Sequence, residues 1–135
     1  MIEEALYAML TADAAVAALV GTRVYPIPAP DQVVRPYIAY RRTGERVDRA
    51  LGGPTGLVET TFELGCWAED TTTAAGGAIA RDLAAAVRAA LPVGPTLIAG
   101  RLVVAAALEA QSAVYDPEAD AFAELVIATL SHQEK

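Results

Sequence analysis

Residues 58–91 read VETTFELGCWAEDTTTAAGGAIARDLAAAVRAAL, and within that stretch the hydrophobic period changes from two to nearly four. Val58, Thr60, Phe62, Leu64 and Cys66 alternate with Glu59, Thr61, Glu63 and Gly65, the pattern of a strand with one apolar and one charged face. After Trp67, Ile79, Leu83, Val87 and Leu91 recur every fourth residue and draw one apolar stripe along a helix. Asp70 and Thr71 to Thr73 are N-cap candidates for that helix, and Pro92 with Gly94 stops it. Both elements must bury one side, so the pair predicts a helix laid across an antiparallel sheet.

On the N-terminal side, residues 2–20 predict helix. Leu6, Met9 and Leu10 form one stripe, and Val16, Leu19 and Val20 continue it after a break near Ala12, where Thr11 and Asp13 are cap candidates. Gly21 ends the helical run. Arg23 to Tyr25 opens a short extended piece. Pro26, Pro28, Pro30 and Pro36 then keep the chain out of helix and out of any central strand. Tyr37 to Arg42 predicts a strand, and the glycine-rich residues 43–56 predict a long loop of the functional or mobile kind. Beyond the central stretch come a strand over Leu102 to Leu108, a turn at Tyr115-Asp116-Pro117-Glu118, a last strand over Phe122 to Leu130 and a frayed tail. The expectation is a single α+β domain over residues 1–135. It has a four- to five-stranded, mainly antiparallel sheet packed by two helices.

A chain of 135 residues buries roughly two-thirds of its unfolded surface, enough for a core without staples. With 54% hydrophobic and 20% charged residues it belongs to the globular class. One cysteine excludes an internal disulfide. The net charge of −7 argues against a general nucleic-acid binder. The charge is unevenly spread: residues 35–49 set Arg35, Arg41, Arg42, Arg46 and Arg49 against Glu45 and Asp48. That local balance of +3 leaves −10 for the remainder. The acidic opening MIEEALYAML lacks the basic start of a secretory signal, and no apolar run approaches the ~18 residues that span a bilayer, so a soluble, cytoplasmically made chain with no membrane partner is expected.

No catalytic or metal-ligating constellation emerges. His132, the one histidine, falls in the tail and is expected to be exposed and inert; Cys66 occupies an inward strand position and behaves as a small hydrophobe. Asp116, Glu118 and Asp120 lack the glycine and closing glutamate of an EF-hand, and neither Gly52-Gly53 nor Gly76-Gly77 is followed by the residues of a phosphate loop. Catalytic, metal and cofactor sites are therefore all expected to be none. Two features remain. Trp67, where strand meets linker, is either a corner anchor of the core or a subunit-interface anchor. Arg41, Arg42, Arg46 and Arg49 lie in or beside the expected loop as a partner- or lumen-facing group.

Those residues also carry a likeness. EEALYAMLTADAAVAALVGTRVYP, RPYIAYRRTGE, the Cys66-Trp67-Ala68 step before an alanine-rich helix ending VRAAL, and AQSAVYDPEADAFAELVI occur in the order found in one family. The chain resembles the tail-completion, or tail-terminator, proteins of long-tailed bacteriophages and phage-like gene transfer agents. One departure is AEDTTTAAGGA, longer than usual before the helix. The resemblance implies a non-enzymatic structural virion protein without cofactors, made and assembled in the host cytoplasm. It implies a homo-oligomeric ring, usually a hexamer, at the head-proximal end of the tail. Its neighbours there are the tail tube protein and the head connector or stopper protein, with DNA in passing contact through the channel. The alternatives are another head–tail joining protein or, from a different class, a small ligand-binding α+β domain.

Overall fold

The computed structural model describes residues 2–30, 33–50, 53–92 and 94–133, and of residues 48–50 and 53–55 the backbone alone. The break near Ala12 is present: α1 (Ile2–Ala12) gives way to α2 (Ala14–Val20) at Asp13. The Asp13 carboxylate accepts from the backbone N–H groups of Ala15 at 3.0 Å and Val16 at 3.1 Å, satisfying two of the donors that a helix start leaves open. Gly21, at φ 59°, closes α2 in the left-handed region that glycine enters without steric cost.

Six strands follow: β1 (Val24–Pro26), β2 (Tyr37–Ala50), β3 (Gly53–Ala68), then after α3 (Gly76–Ala90) come β4 (Thr96–Ile98), β5 (Arg101–Asp116) and β6 (Ala121–Gln133). They form one mixed sheet in the order β1-β2-β3-β6-β5-β4, with β1 parallel to β2 and every other pairing antiparallel. The α+β class is as expected. The expected four to five strands are six, because β1 and β4 add short edge strands to the four long ones. The expected two helices are three, because Asp13 divides the first.

The core lies on one face. Phe62, Leu64 and Cys66 of β3 and Val126, Ala128 and Leu130 of β6 meet Leu83, Ala84 and Val87 of α3, while Ile2, Ala5, Leu6 and Leu10 of α1 and Val16 and Val20 of α2 complete it. The β3 alternation is therefore reproduced residue for residue. The α3 stripe is shifted: Gly76, Ala80, Leu83, Ala84, Val87 and Leu91 are buried, and Ile79, expected on the contact line, is only half-buried. The helix turns its small residues to the sheet, and the cause is visible at its start. A Cβ on Gly76 would stand 2.6 Å from the Phe122 ring and 2.8 Å from the Glu69 backbone. The helix is docked too closely there for any side chain. Asp70 completes the start by accepting from the Gly76 N–H at 2.7 Å, six residues along rather than from an adjacent cap position.

The largest departure concerns residues 43–56. Instead of a loop, residues 43–50 and 53–56 continue β2 and β3 as an antiparallel arm, with Arg46 facing Glu59, Val47 facing Val58, Arg49 facing Pro54 and Ala50 facing Gly53, and residues 51–52 lie outside the described residues. Irregularities between Arg42 and Gly44 and between Val47 and Arg49 absorb the register shifts. β6 ends its pairing with β3 at Leu57↔Gln133, so the arm runs on past the sheet. It lacks an apolar alternation because it has no core to face.

Leu83 is fully buried at the sheet–helix contact. Leu83→Ala is expected to cost about 2–5 kcal/mol, the usual range for a buried leucine truncation, read as a lowered chemical-denaturation midpoint. The half-buried Ile79, truncated to alanine, should cost distinctly less.

Candidate functional site

The candidate residues separate by sheet face. In an antiparallel ladder, facing residues share a face. Arg41 and Arg46 lie with Glu63 and Glu59 on the face turned away from the helices, and Arg42, opposite Phe62, lies on the helix-covered face. The Arg41 guanidinium reaches Glu63 at 3.2 Å and that of Arg46 reaches Glu59 at 2.6 Å. These are cross-strand ion pairs. Arg42 stands 3.8 Å from Glu45 and 4.0 Å from Glu3 of α1. Arg49 pairs through its backbone with Pro54, and its side chain lies outside the described residues. The four arginines thus do not form one surface, and β3 supplies acids that offset the local excess of positive charge. With the Arg41 and Arg46 side chains 57% and 76% exposed, such pairs contribute about 0.2–1 kcal/mol each. An incoming acidic surface can exchange them at small cost.

Beside Arg42 runs a polar chain that the sequence reading missed. His132 was expected to be exposed in a frayed tail; it is 3% exposed, in β6, on the helix-covered face. Its Nε2 lies 2.8 Å from the Thr60 hydroxyl, and that hydroxyl donates to the Glu45 carboxylate at 3.1 Å. A hydroxyl has one proton, so Thr60 accepts from His132 and the ring carries its proton on Nε2. Arg42, Glu45, Thr60 and His132 therefore tie β2, β3 and β6 together at the root of the arm. The signal was present, since Ala128, Leu130 and His132 continue the two-residue period of β6.

Trp67 also lies on the face away from the helices, half-buried, level with Tyr37 of β2 and Ala123 of β6. Its indole covers Gly65: a Cβ there would meet Nε1 at 2.8 Å and the Leu125 side chain at 3.5 Å. It stands outside the main core and gives the open sheet face, with Leu125 and Ile127, an apolar end. Arg46, Glu59, Thr129 and Ser131 make the other end polar.

Cys66 is fully buried, and burial, with a smaller contribution from Glu124, pushes its thiol up to about 12. A thiol without thiolate is no nucleophile. Asp116, Glu118 and Asp120 form the expected turn: Asp116 accepts from the Glu118 N–H at 3.0 Å, and Asp120, at φ 50°, accepts from the Tyr115 hydroxyl at 2.7 Å, which raises the tyrosine's pKa. Among the described residues no group of three or more His, Cys, Asp or Glu is placed to hold a metal ion, and no helix is long and apolar enough to cross a membrane. A cavity of about 260 Å³ opens between Gly100, Arg101, Leu102 and Gln133, where the Arg101 guanidinium donates to the Gln133 carbonyl at 3.0 Å. That lining gathers no acid–base pair.

Comparison with known proteins agrees with this geometry. The family model described as "Tail completion protein gp17" matches residues 4–127. Seven chains of solved structures match. One, in the structure titled "Virion of native gene transfer agent (GTA) particle", is 27% identical, with a TM-score of 0.71 over 96% of this chain and 92% of that one. Comparison with curated protein sequences finds no match.

Two substitutions check the site. Gly65→Ala must displace the indole of the protein's single tryptophan, so its emission should move to longer wavelength with the fold retained; an unchanged spectrum would contradict the placement. Cys66 should resist thiol alkylation at pH 8 until denaturant is added.

Proposed function

This chain belongs to the tail completion protein gp17 family, and we propose that its work is to form a ring that caps the tail tube and joins it to the head connector. The family is one of structural virion proteins, and the chain is a structural component of a virion tail. The ring, its stoichiometry of six and the connector contact are our reading. The single observation that carries it is the coverage of the match: nearly the whole chain is shared with a chain of an assembled gene transfer agent particle.

The geometry supports this reading. A head-to-tail ring needs two different, complementary surfaces on one subunit. Here the sheet offers an arginine-bearing hairpin arm at one edge and an alanine-rich strand at the other. The arm overhangs the body beyond Val47, with Arg49 on the overhang and the exposed Arg46 at its root, and we read this end as the one that meets a neighbouring protein. Contact with an acidic protein surface suits them better than a grip on DNA, because phosphate contacts would slow its passage. Trp67 and the apolar end of the open face serve as a second contact. Another head–tail joint, such as a stopper, would place the same ring one layer nearer the head.

Particles assembled without this chain are expected to carry tails of irregular length and unjoined heads, counted by electron microscopy. Particles that join normally would overturn the reading. Arg46→Ala with Arg49→Ala should lower head joining while leaving the purified chain as stable as the parent, since exposed pairs contribute little.

A further inference from the structure

The sheet has two free edges. β1 shields β2 only from Ile38 to Tyr40, and β4 shields β5 only from Arg101 to Val103. Among the described residues no strand pairs with the outer side of β2 from Arg41 to Ala50, nor with that of β5 from Val104 to Asp116. Each stretch is a row of backbone donors and acceptors on which another chain can add a strand. β5 is only lightly protected there, by irregularities at Val104 and Glu109 and the one charge of Glu109 before Asp116. Its free residues VAAALEAQSAVYD hold no proline and no lysine, and between Ala107 and Tyr115 every side chain except that of Gln111 is exposed.

The two edges are unlike in charge. β2 sets Arg41, Arg42, Arg46 and Arg49 against Glu45 and Asp48, a balance of +2 over residues 41–50, whereas β5 brings Glu109 and ends at Asp116, a balance of −2 over residues 104–116. Like edges would set arginines against arginines, or Glu109 against its own copy, and facing like charges destabilise a ladder. Unlike edges bring opposite charges together. Direction agrees as well. Three successive antiparallel pairings, β2–β3, β3–β6 and β6–β5, leave β5 running opposite to β2. A copy rotated about an axis lying broadly along the strands keeps its strand directions, so its β2 meets β5 in the antiparallel sense.

We propose that the β2 edge of one copy pairs with the β5 edge of the next, so that the sheets of the ring join into one continuous band. This rests on the ring reading above and names the surface through which the ring closes.

The ladders also fix the register. Arg46 is level with Glu59, Ser131 and Ala105, and Arg42 is level with Phe62, Ala128 and Leu108. Without any slide, free β2 from Arg41 to Arg46 already lies level with Ala110 to Ala105 of β5, while β2 from Val47 to Ala50 runs on past it toward the stretch that β4 covers. For the whole free part of β2 to lie against free β5, neighbouring copies slide by about four residue pairs, roughly 13 Å at ~3.3 Å per residue. A closed band of tilted strands requires such a stagger. After the slide Arg46 faces Ala110 and sits beside Glu109, and Gly44 faces Ser112. The neighbour's β1, which covers β2 up to Tyr40, then begins level with the last residue or two of free β5, so the short edge strands mark the ends of the junction. The faces match too: Arg46 and Gly44 lie with Glu59 and Thr61, and Ala110 and Ser112 lie with Ile127 and Leu125, all away from the helices.

Disulfide trapping in assembled particles tests this, because facing Cα atoms of an antiparallel pair are about 4.5–5.5 Å apart, within disulfide reach. Arg46→Cys combined with Ala110→Cys is expected, on oxidation, to give a ladder from dimer to closed ring in non-reducing electrophoresis. Each single variant should give none, the native Cys66 being buried. Gly44→Cys with Ser112→Cys reads the same register where a Cβ at 44 meets nothing within 4 Å, so damage from one pair leaves the other informative. Glu45→Cys with Ala110→Cys, on opposite faces, should remain unlinked. If rings are imaged at the tail end but neither matched pair links, or the opposite-face pair links equally, edge pairing is overturned and the ring stands. If no ring is seen at the tail end, both readings fail.

Discussion

An α-helix rises about 1.5 Å per residue and a strand about 3.3 Å, so the 15 residues of α3 span about 22 Å while the 16 of β3 span about 53 Å. One helix layer cannot cover such strands. Everything distinctive in the molecule follows from that mismatch. Where α1, α2 and α3 lie on the sheet, the inner residues are fully excluded from water and the two-residue period is strict. Where the helices stop, β2 and β3 continue as an arm held by backbone pairing and charge pairs, and β5 runs with most of its side chains exposed. An isolated two-stranded ribbon is at best marginally stable in water. The extensions gain most from being completed by neighbours.

The junction between covered and uncovered sheet is where the buried polar residues gather. His132, Thr60, Glu45 and Arg42 lie across three strands at the root of the arm. A polar group taken from water there needs a fixed partner, and the chain of hydrogen bonds supplies it while holding the strand register. On the other face Trp67 packs over Gly65, using the one position in that row where a missing side chain leaves room for an indole. Both devices fix the sheet locally without resort to a further helix. That is consistent with membership of a family of structural virion proteins.

A structural role also explains the mild electrostatics. Arg41 and Arg46 of β2 are met by Glu63 and Glu59 through solvent-exposed pairs that contribute little to folding. Such pairs are weak enough to exchange for the acids of an incoming surface. If the chain works in a ring as proposed, weakly committed charges of this kind suit a subunit that stays apart before assembly and associates in place.

The sequence by itself determined the elements that answer to a core. The β3 alternation, the Asp13 break, the close of α3 and the Asp116 turn are local, because periodicity and capping act within a few residues. It determined the α+β class as well, and the order of its motifs pointed to the family. Tertiary structure alone decided what depends on residues far apart in the chain. Residues 43–50 and 53–56 are an arm because Arg46 meets Glu59 and Val47 meets Val58, pairings that no local period announces. His132 is buried because β6 is paired on both sides nearly to its end, giving the tail a ladder to hold it. The stripe of α3 turned toward its small residues because Phe122, 46 positions after Gly76, closes the space at the helix start. A period fixes which side of an element is apolar; only the packed neighbour decides how near it can come and how far the strand runs on.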